Sequence, residues 1–185
     1  MQMTEPKKSK LLTIVYELAD LTTGAFMVTL LLTTFVFRSI QVDGDSMLPT
    51  LTNGQRLLIS MNNGLFGSVK PGDIVVVNQP SSYPPYQHSL IKRVIAIGGE
   101  EIDIDFEAGK VFVNGKLKEE KYVNAPTHLE EGTILPLTVP LGKVFVMGDN
   151  RNASADSRCY HIGPVDERYI CGKVVCSLAP VGVVK

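Results

Sequence analysis

Three short stretches of this sequence carry residues capable of chemistry. The first is Gly44-Asp45-Ser46-Met47-Leu48-Pro49-Thr50-Leu51. Its serine hydroxyl is a weak nucleophile until a neighbouring base takes its proton. The second is Ile91-Lys92-Arg93-Val94-Ile95-Ala96-Ile97-Gly98-Gly99, where a lysine sits among aliphatic residues of an expected strand. Burial in apolar surroundings disfavours a charged amine, lowers its pKa and so turns a cation into a base. The third is Met147-Gly148-Asp149-Asn150-Arg151-Asn152-Ala153-Ser154-Ala155-Asp156-Ser157-Arg158, a dense polar run after a strand. Taken singly, each has an ordinary explanation: a turn serine, a lysine whose stem packs while its amine reaches water, and an exposed loop. No histidine falls in any of the three, so Asp149 and Asp156 are not read as members of a Ser-His-Asp triad. His88, His128 and His161 lie in loop-like segments and are assigned surface or packing roles.

The elements that must position these stretches are of two kinds. Lys7, Lys8 and Lys10 precede an uncharged stretch over residues 21–37 that ends at Arg38. The preceding residues 11–19 are also mostly apolar, so a helix starting near Lys10 is expected to span a bilayer, which takes about 17–25 residues. Glu17 and Asp20 then lie near the interface, and the threonines between Thr22 and Thr34 bond to carbonyls of the preceding turn. A cleavable leader needs an A-x-A site after its apolar core, and residues 35–40 offer none. A buried helix of a soluble domain is the other alternative. The basic flank favours a cytoplasmic N-terminus, with everything after Arg38 on the far side.

From Ile40 onward short β-branched runs alternate with turn signals. Strands are expected at 56–61, 73–77, 90–97, 101–106, 144–147 and 173–177, with a hairpin over 110–117 turning at Asn114-Gly115. The fold class is therefore mainly β: an N-terminal transmembrane helix, then an antiparallel β-domain of packed sheets or a partly closed barrel. The divisions are a basic tail at 1–10, an anchor at 11–38, a β core from 39–97 and 143–185, and a smaller inserted lobe at 98–142. Leu65-Phe66 and Tyr83-Pro84-Pro85-Tyr86 are expected to touch the lipid interface or cap the core.

Charge is nearly balanced, with 18 basic and 19 acidic residues and no basic stripe, which argues against nucleic acid as a partner. Cys159, Cys171 and Cys176 form no C-x-x-C pair and have no histidine at zinc spacing, so neither metal nor cofactor is expected. One disulfide, Cys171 with Cys176 or Cys159 with Cys171, competes with three reduced, buried thiols.

Together the three stretches resemble the type I signal peptidase family. Ser-Met-x-Pro-Thr-Leu, Lys-Arg-Val-x-Ala-x-Gly-Gly-Glu and Gly-Asp-Asn-Arg-x-x-Ser-x-Asp-Ser-Arg occur here in family order, and Pro71-Gly72-Asp73-Ile74-Val75 matches a further stretch. The resemblance runs from about Lys7 to Lys173 and is weakest between Glu100 and Gly142. It implies a Ser/Lys dyad, with Ser46 as nucleophile and Lys92 as general base. It also implies that Ser154 hydrogen-bonds the Lys92 amine, that Asp149 pairs with Arg93 and Asp156 with Arg158, and that Gly148 and Asn150 shape the turn. Some family members carry a hydroxyl residue two positions before the nucleophile. Here that position is Gly44, leaving the Ser46 N–H to stabilise an oxyanion. The implied substrates are preprotein signal peptides, cut after small residues in shallow apolar pockets for which Val42, Met47 and Ile91 are candidates. The implied setting is a phospholipid membrane. Alternatives are a specialised maturation peptidase of the same family, a self-cleaving repressor-type protease, and an inactive membrane-tethered β-domain that only binds peptides.

Overall fold

The structure is a computed structural model and describes residues 10–61, 67–78 and 89–182. Residues 1–9 of the basic tail, both loops considered for lipid contact (Leu65-Phe66 and Tyr83-Pro84-Pro85-Tyr86) and His88 lie outside the described residues. The chain divides into two compact units, Met1–Phe37 and Arg38–Lys185.

The first unit is one helix, α1 (Lys10–Phe35). Residues Leu12–Thr34 have a mean hydropathy of 1.4 and none of this stretch is buried within the chain. At 1.5 Å per residue, such a helix is roughly 35 Å long, enough to cross a hydrocarbon core of about 30 Å. Polar side chains inside it are satisfied locally. Thr22 and Thr23 donate to the Ala19 carbonyl at 2.9 and 2.7 Å, and Thr29 donates to Ala25 at 2.8 Å. The helix is shorter at its end than the expected anchor over 11–38. Its last bond runs from Val36 N to Leu32 O, and the aromatic and β-branched residues that follow suit an extended strand instead.

The second unit contains a large sheet built from β1 (Phe37–Gln41), β2 (Arg56–Ser60), β3 (Ile74–Val77), β4 (Leu90–Ile97), β9 (Lys143–Met147), β10 (Val165–Asp166), β11 (Ile170–Ala179) and β12 (Val181–Gly182). Their order is β1-β2-β11-β3-β4-β9-β10, with β12 beside β11. A small sheet holds β5 (Glu101–Asp105), β6 (Lys110–Val113), β7 (Lys116–Leu117) and β8 (Leu137–Thr138) in the order β7-β6-β5-β8. In the large sheet β11 pairs antiparallel with β2 and β3, as does β4 with β3 and β9; in the small sheet β5 pairs antiparallel with β6 and β8, as does β6 with β7. The small sheet occupies part of the stretch 98–142. Asn114 and Gly115 both take positive φ, 52° and 71°, as the tight turn joining β6 to β7 demands.

Burial explains the arrangement. Every residue of β3 is buried, which an all-aliphatic Ile-Val-Val-Val run permits only at the middle of a sheet. Val75, Val94, Val146 and Val165 fill one core cluster, while Val42, Met47, Leu51, Leu57 and Ile74 fill another. A third joins the sheets: Ile95 and Phe145 from the large sheet meet Ile102, Ile104 and Val111 from the small one. Strand β11 is longer than the expected 173–177 because it serves two partners, β3 through residues 170–173 and β2 through residues 173–179. Its register shifts are bulges that let one strand follow both neighbours.

Neither expected disulfide is formed; Cys159, Cys171 and Cys176 are all thiols. Cys171 and Cys176 lie five positions apart on β11, roughly 16 Å along an extended strand, whereas a bridge needs Cα atoms within about 7 Å.

Gly172 marks the tightest point of β11: a Cβ there would lie 2.7 Å from the Ser60 backbone oxygen. Gly172→Ala is predicted to destabilise the domain by roughly 1–3 kcal/mol through overpacking. Urea unfolding measures this, and an unchanged midpoint would show that β2 and β11 slide apart freely.

Candidate active site

The turn over residues 44–51 connects β1 to β2, and its apolar members hold it in place. Met47 and Leu51 are buried in the cluster with Val42, Leu57 and Ile74, and Leu51 N donates to Met47 O at 2.9 Å. That anchoring leaves Ser46 at the surface of the turn, half-buried. Gly44, with φ of 93°, takes a left-handed conformation at the turn's entrance that L side chains rarely adopt.

Lys92 comes from β4, directly opposite Val75 of the fully buried β3. Its Nζ donates to Ser46 Oγ at 2.7 Å. The residue is 2% exposed, and burial lowers its pKa from 10.5 to about 8. The field of Asp156 pushes the other way, Arg158 assists the lowering, and Glu131 and Asp149 oppose it more weakly.

The loop after β9 supplies the remaining groups. Asp149 accepts from Arg93 Nε at 2.8 Å and Nη2 at 2.7 Å, and from Thr50 Oγ1 at 2.5 Å. Asp156 accepts from Arg158 Nε and Nη2, both at 2.8 Å, and from Gly148 N at 2.9 Å. All four charged groups are buried, which makes each pair costly to break: removing one partner strands the other at about 3–5 kcal/mol. Asn150 ties this loop to the turn that carries Ser46, donating from its backbone N to Ser46 O and from Nδ2 to Asp45 O, each at 3.0 Å. Gly148 has no room for a side chain, since a Cβ would lie 2.5 Å from the Ser46 carbonyl oxygen.

Ser46, Lys92, Arg93, Asp149, Asp156, Arg158, Ser154 and Gly148 are thus gathered around one point, and both implied ion pairs are formed. Ser154 differs from expectation. Its hydroxyl donates to Asp156 Oδ2 at 2.9 Å instead of bonding to Lys92. A carboxylate within reach is the stronger acceptor and receives the hydroxyl's hydrogen bond. Val42, Met47 and Ile91, together with Ile40, wall a cleft of about 200 Å³ that opens onto Ser46 and Lys92. His128 and His161 are exposed; His128 Nδ1 contacts Phe106 O at 2.8 Å and His161 packs edge-on against Tyr160.

Sequence reasoning assigned no role to Thr50, Glu120, Tyr122 or Glu131. Thr50 lies within the first quoted stretch, but only the fold brings it to Asp149. Glu131 has a buried Oε2 without a hydrogen-bond partner among the described residues. Burial, then the field of Asp156, raises its pKa. It sits in the charge-rich stretch over residues 98–142.

An unfolded chain holds the lysine proton up to about 10.5, whereas the folded one releases it near 8. This group therefore opposes folding below about pH 8, and the opposition fades as pH rises from 8 towards 10.5. Lys92→Met is predicted to stabilise the domain at pH 7 by roughly 2–3 kcal/mol. Its advantage should shrink towards pH 10. Denaturant titrations at both pH values test this; a destabilised variant at pH 7 would show that the amine is not held against its solvation.

The description "Signal peptidase, peptidase S26" belongs to a family model that matches residues 15–179. A signal peptidase I of Bacillus licheniformis is 32% identical, with 92% of this chain and 91% of that protein covered. Signal peptidase I T of Bacillus subtilis is 37% identical, covering 72% and 70% respectively. A signal peptidase I of Mycobacterium tuberculosis is 32% identical over 84% of this chain, which spans 66% of that longer relative. A crystal structure of a signal peptidase I from Enterococcus faecalis V583 is 26% identical, covers 58% of this chain and 97% of its own, and has a TM-score of 0.46. With a match running from within the apolar helix to the end of β11, the chain belongs to the signal peptidase family, peptidase S26.

Proposed function

We propose that this chain is a membrane-bound serine endopeptidase that removes N-terminal signal peptides from exported preproteins, with Ser46 as nucleophile and Lys92 as general base. The observation that carries the reading is a buried amine, its pKa lowered to about 8, lying 2.7 Å from a serine hydroxyl at a cleft. In the neutral state Lys92 takes the Ser46 proton as Oγ attacks the scissile carbonyl carbon. The same proton then passes from Lys92 to the departing amine as the peptide bond breaks. A water, deprotonated by Lys92, hydrolyses the acyl-enzyme and restores the serine.

Gly44 offers no side-chain donor for the oxyanion. The Ser46 N–H makes no hydrogen bond among the described residues, which suits it to that role. The substrate enters as an extended strand between residues 40–43 and the start of β4. Val42, Met47 and Ile91 crowd the cleft, favouring small residues before the cut, as in A-x-A sites. The apolar helix supports anchorage in a phospholipid membrane, with the N-terminus cytoplasmic and the β-domain on the outer side.

Detergent-solubilised protein incubated with a preprotein carrying an A-x-A site is expected to yield one cut, located by mass spectrometry. Ser46→Ala and Lys92→Ala should each abolish it without additive effect, because the two act as a unit. Lys92→Arg should fail as well, since guanidinium stays protonated. The base must be neutral, so the rate should be low below pH 8, rise with a midpoint near 8 and level off above. A midpoint near 6.5, the ordinary value for histidine, or substantial cleavage by Lys92→Ala would sink the assignment.

A further inference from the structure

The segment over residues 118–129 does more than lead from β7 towards β8. Tyr122 lies flat against Arg93, whose guanidinium carbon is 4.0 Å from the ring centroid. Arg151 stands 5.9 Å from the same centroid. The Tyr122 hydroxyl donates to Glu120 Oε1 at 2.8 Å, and Glu120 in turn accepts from Arg151 Nη1 and Nη2 at 2.5 and 2.7 Å. Arg151 also donates to Thr127 Oγ1 at 2.9 Å. Burial and Glu120 hold the phenol well above its ordinary range, so it remains a donor.

Both arginines lead to the reacting pair. Arg93 neighbours Lys92 on β4 and grips Asp149, which accepts from Thr50 in the nucleophile turn. Arg151 Nε donates to the Gly148 carbonyl at 3.1 Å, and Gly148 packs against the Ser46 carbonyl. Further along, Asn152 accepts from the backbone N–H groups of His128 and Leu129 and donates to Pro126 O, closing the segment over the loop.

We propose that Tyr122 and Glu120 are positioning residues for the reaction, a brace that holds Arg93 and Arg151 and through them the separation of Lys92 and Ser46. This deepens the reading of Ser46 and Lys92 as a catalytic pair and rests on it. Neither residue lines the substrate cleft, so the brace acts on turnover and not on binding. An ion pair with a ring stacked over it keeps its geometry because the cation is attracted to the ring face as well as to its carboxylate.

The test is steady-state cleavage of a preprotein by the full chain, with the folded fraction of each variant fixed by circular dichroism. Tyr122→Leu is expected to lower kcat by roughly 10- to 100-fold with KM within about twofold, the scale set by small misplacements of reacting groups. Tyr122→Phe retains the ring over Arg93 and should recover most of the rate. Glu120→Gln, nearly isosteric, should lower kcat by roughly 3- to 10-fold through the loosened Arg151. In an Arg93→Ala background Tyr122→Leu should add little, because the two act in series. Wild-type rates per folded molecule in Tyr122→Leu and Glu120→Gln, or losses confined to KM, would overturn the brace while Ser46-dependent cleavage stands. If the wild type shows no Ser46-dependent cleavage, the catalytic pair and the brace fall together.

Discussion

Withdrawal of one amine from water is the constraint on which the rest of this site depends. A lysine in solvent is a cation at neutral pH and cannot accept a proton from serine. At Lys92, 2% exposed, burial brings the pKa down to about 8 against the fields of three carboxylates. Desolvation must therefore outweigh charge, and the engagement of both aspartates by arginines helps it to do so. Arg93 takes both oxygens of Asp149, and Arg158 takes both oxygens of Asp156. Were either carboxylate released, it would find the ammonium and stabilise the charged form.

This accounts for an interior that is unusually polar for so small a domain. Lys92, Arg93, Asp149, Arg151, Asp156 and Arg158 are all buried. Such groups are expensive to desolvate, and similar volumes of aliphatic side chain would serve stability as well or better. Their use here is geometric: bidentate arginine–carboxylate pairs have defined directions as well as strength. Ser154 belongs to the same network through Asp156, so its hydroxyl orients the carboxylate nearest in effect to Lys92.

The sheet brings the parts together. Residues 46, 92 and 149–158 come from a turn anchored by Met47 and Leu51, a central strand, and a loop that Gly148 allows to lie against the turn. A bulge in the β4–β9 ladder falls just beyond Lys92, between Val94 and Ala96, where the strand bends from one core cluster to the next. The inserted segment then reaches back from the small sheet to clasp Arg93 and Arg151. The segment that carries the small sheet is thus tied to buried charged groups of the site.

Much of this was legible in the residues themselves. The apolar run to Phe35, the β-branched strands β3 and β4 and the Asn114-Gly115 turn follow from local preference, because periodicity and turn chemistry act over a few residues. The pairings of Asp149 with Arg93 and of Asp156 with Arg158 come from a resemblance, not from pattern; Arg93 and Asp149, 56 residues apart, leave no local trace of their contact. Tertiary structure alone decided the rest. It put β11 between β2 and β3, held Cys171 and Cys176 too far apart on one strand to bridge, and turned Ser154 towards Asp156. It also brought Glu120, Tyr122 and Glu131, from the stretch expected to form a smaller inserted lobe, to the buried charges of the site. A charged side chain shows its type in the sequence, but its burial and its partner depend on which distant strands fold over it, and that is a property of the assembled sheets.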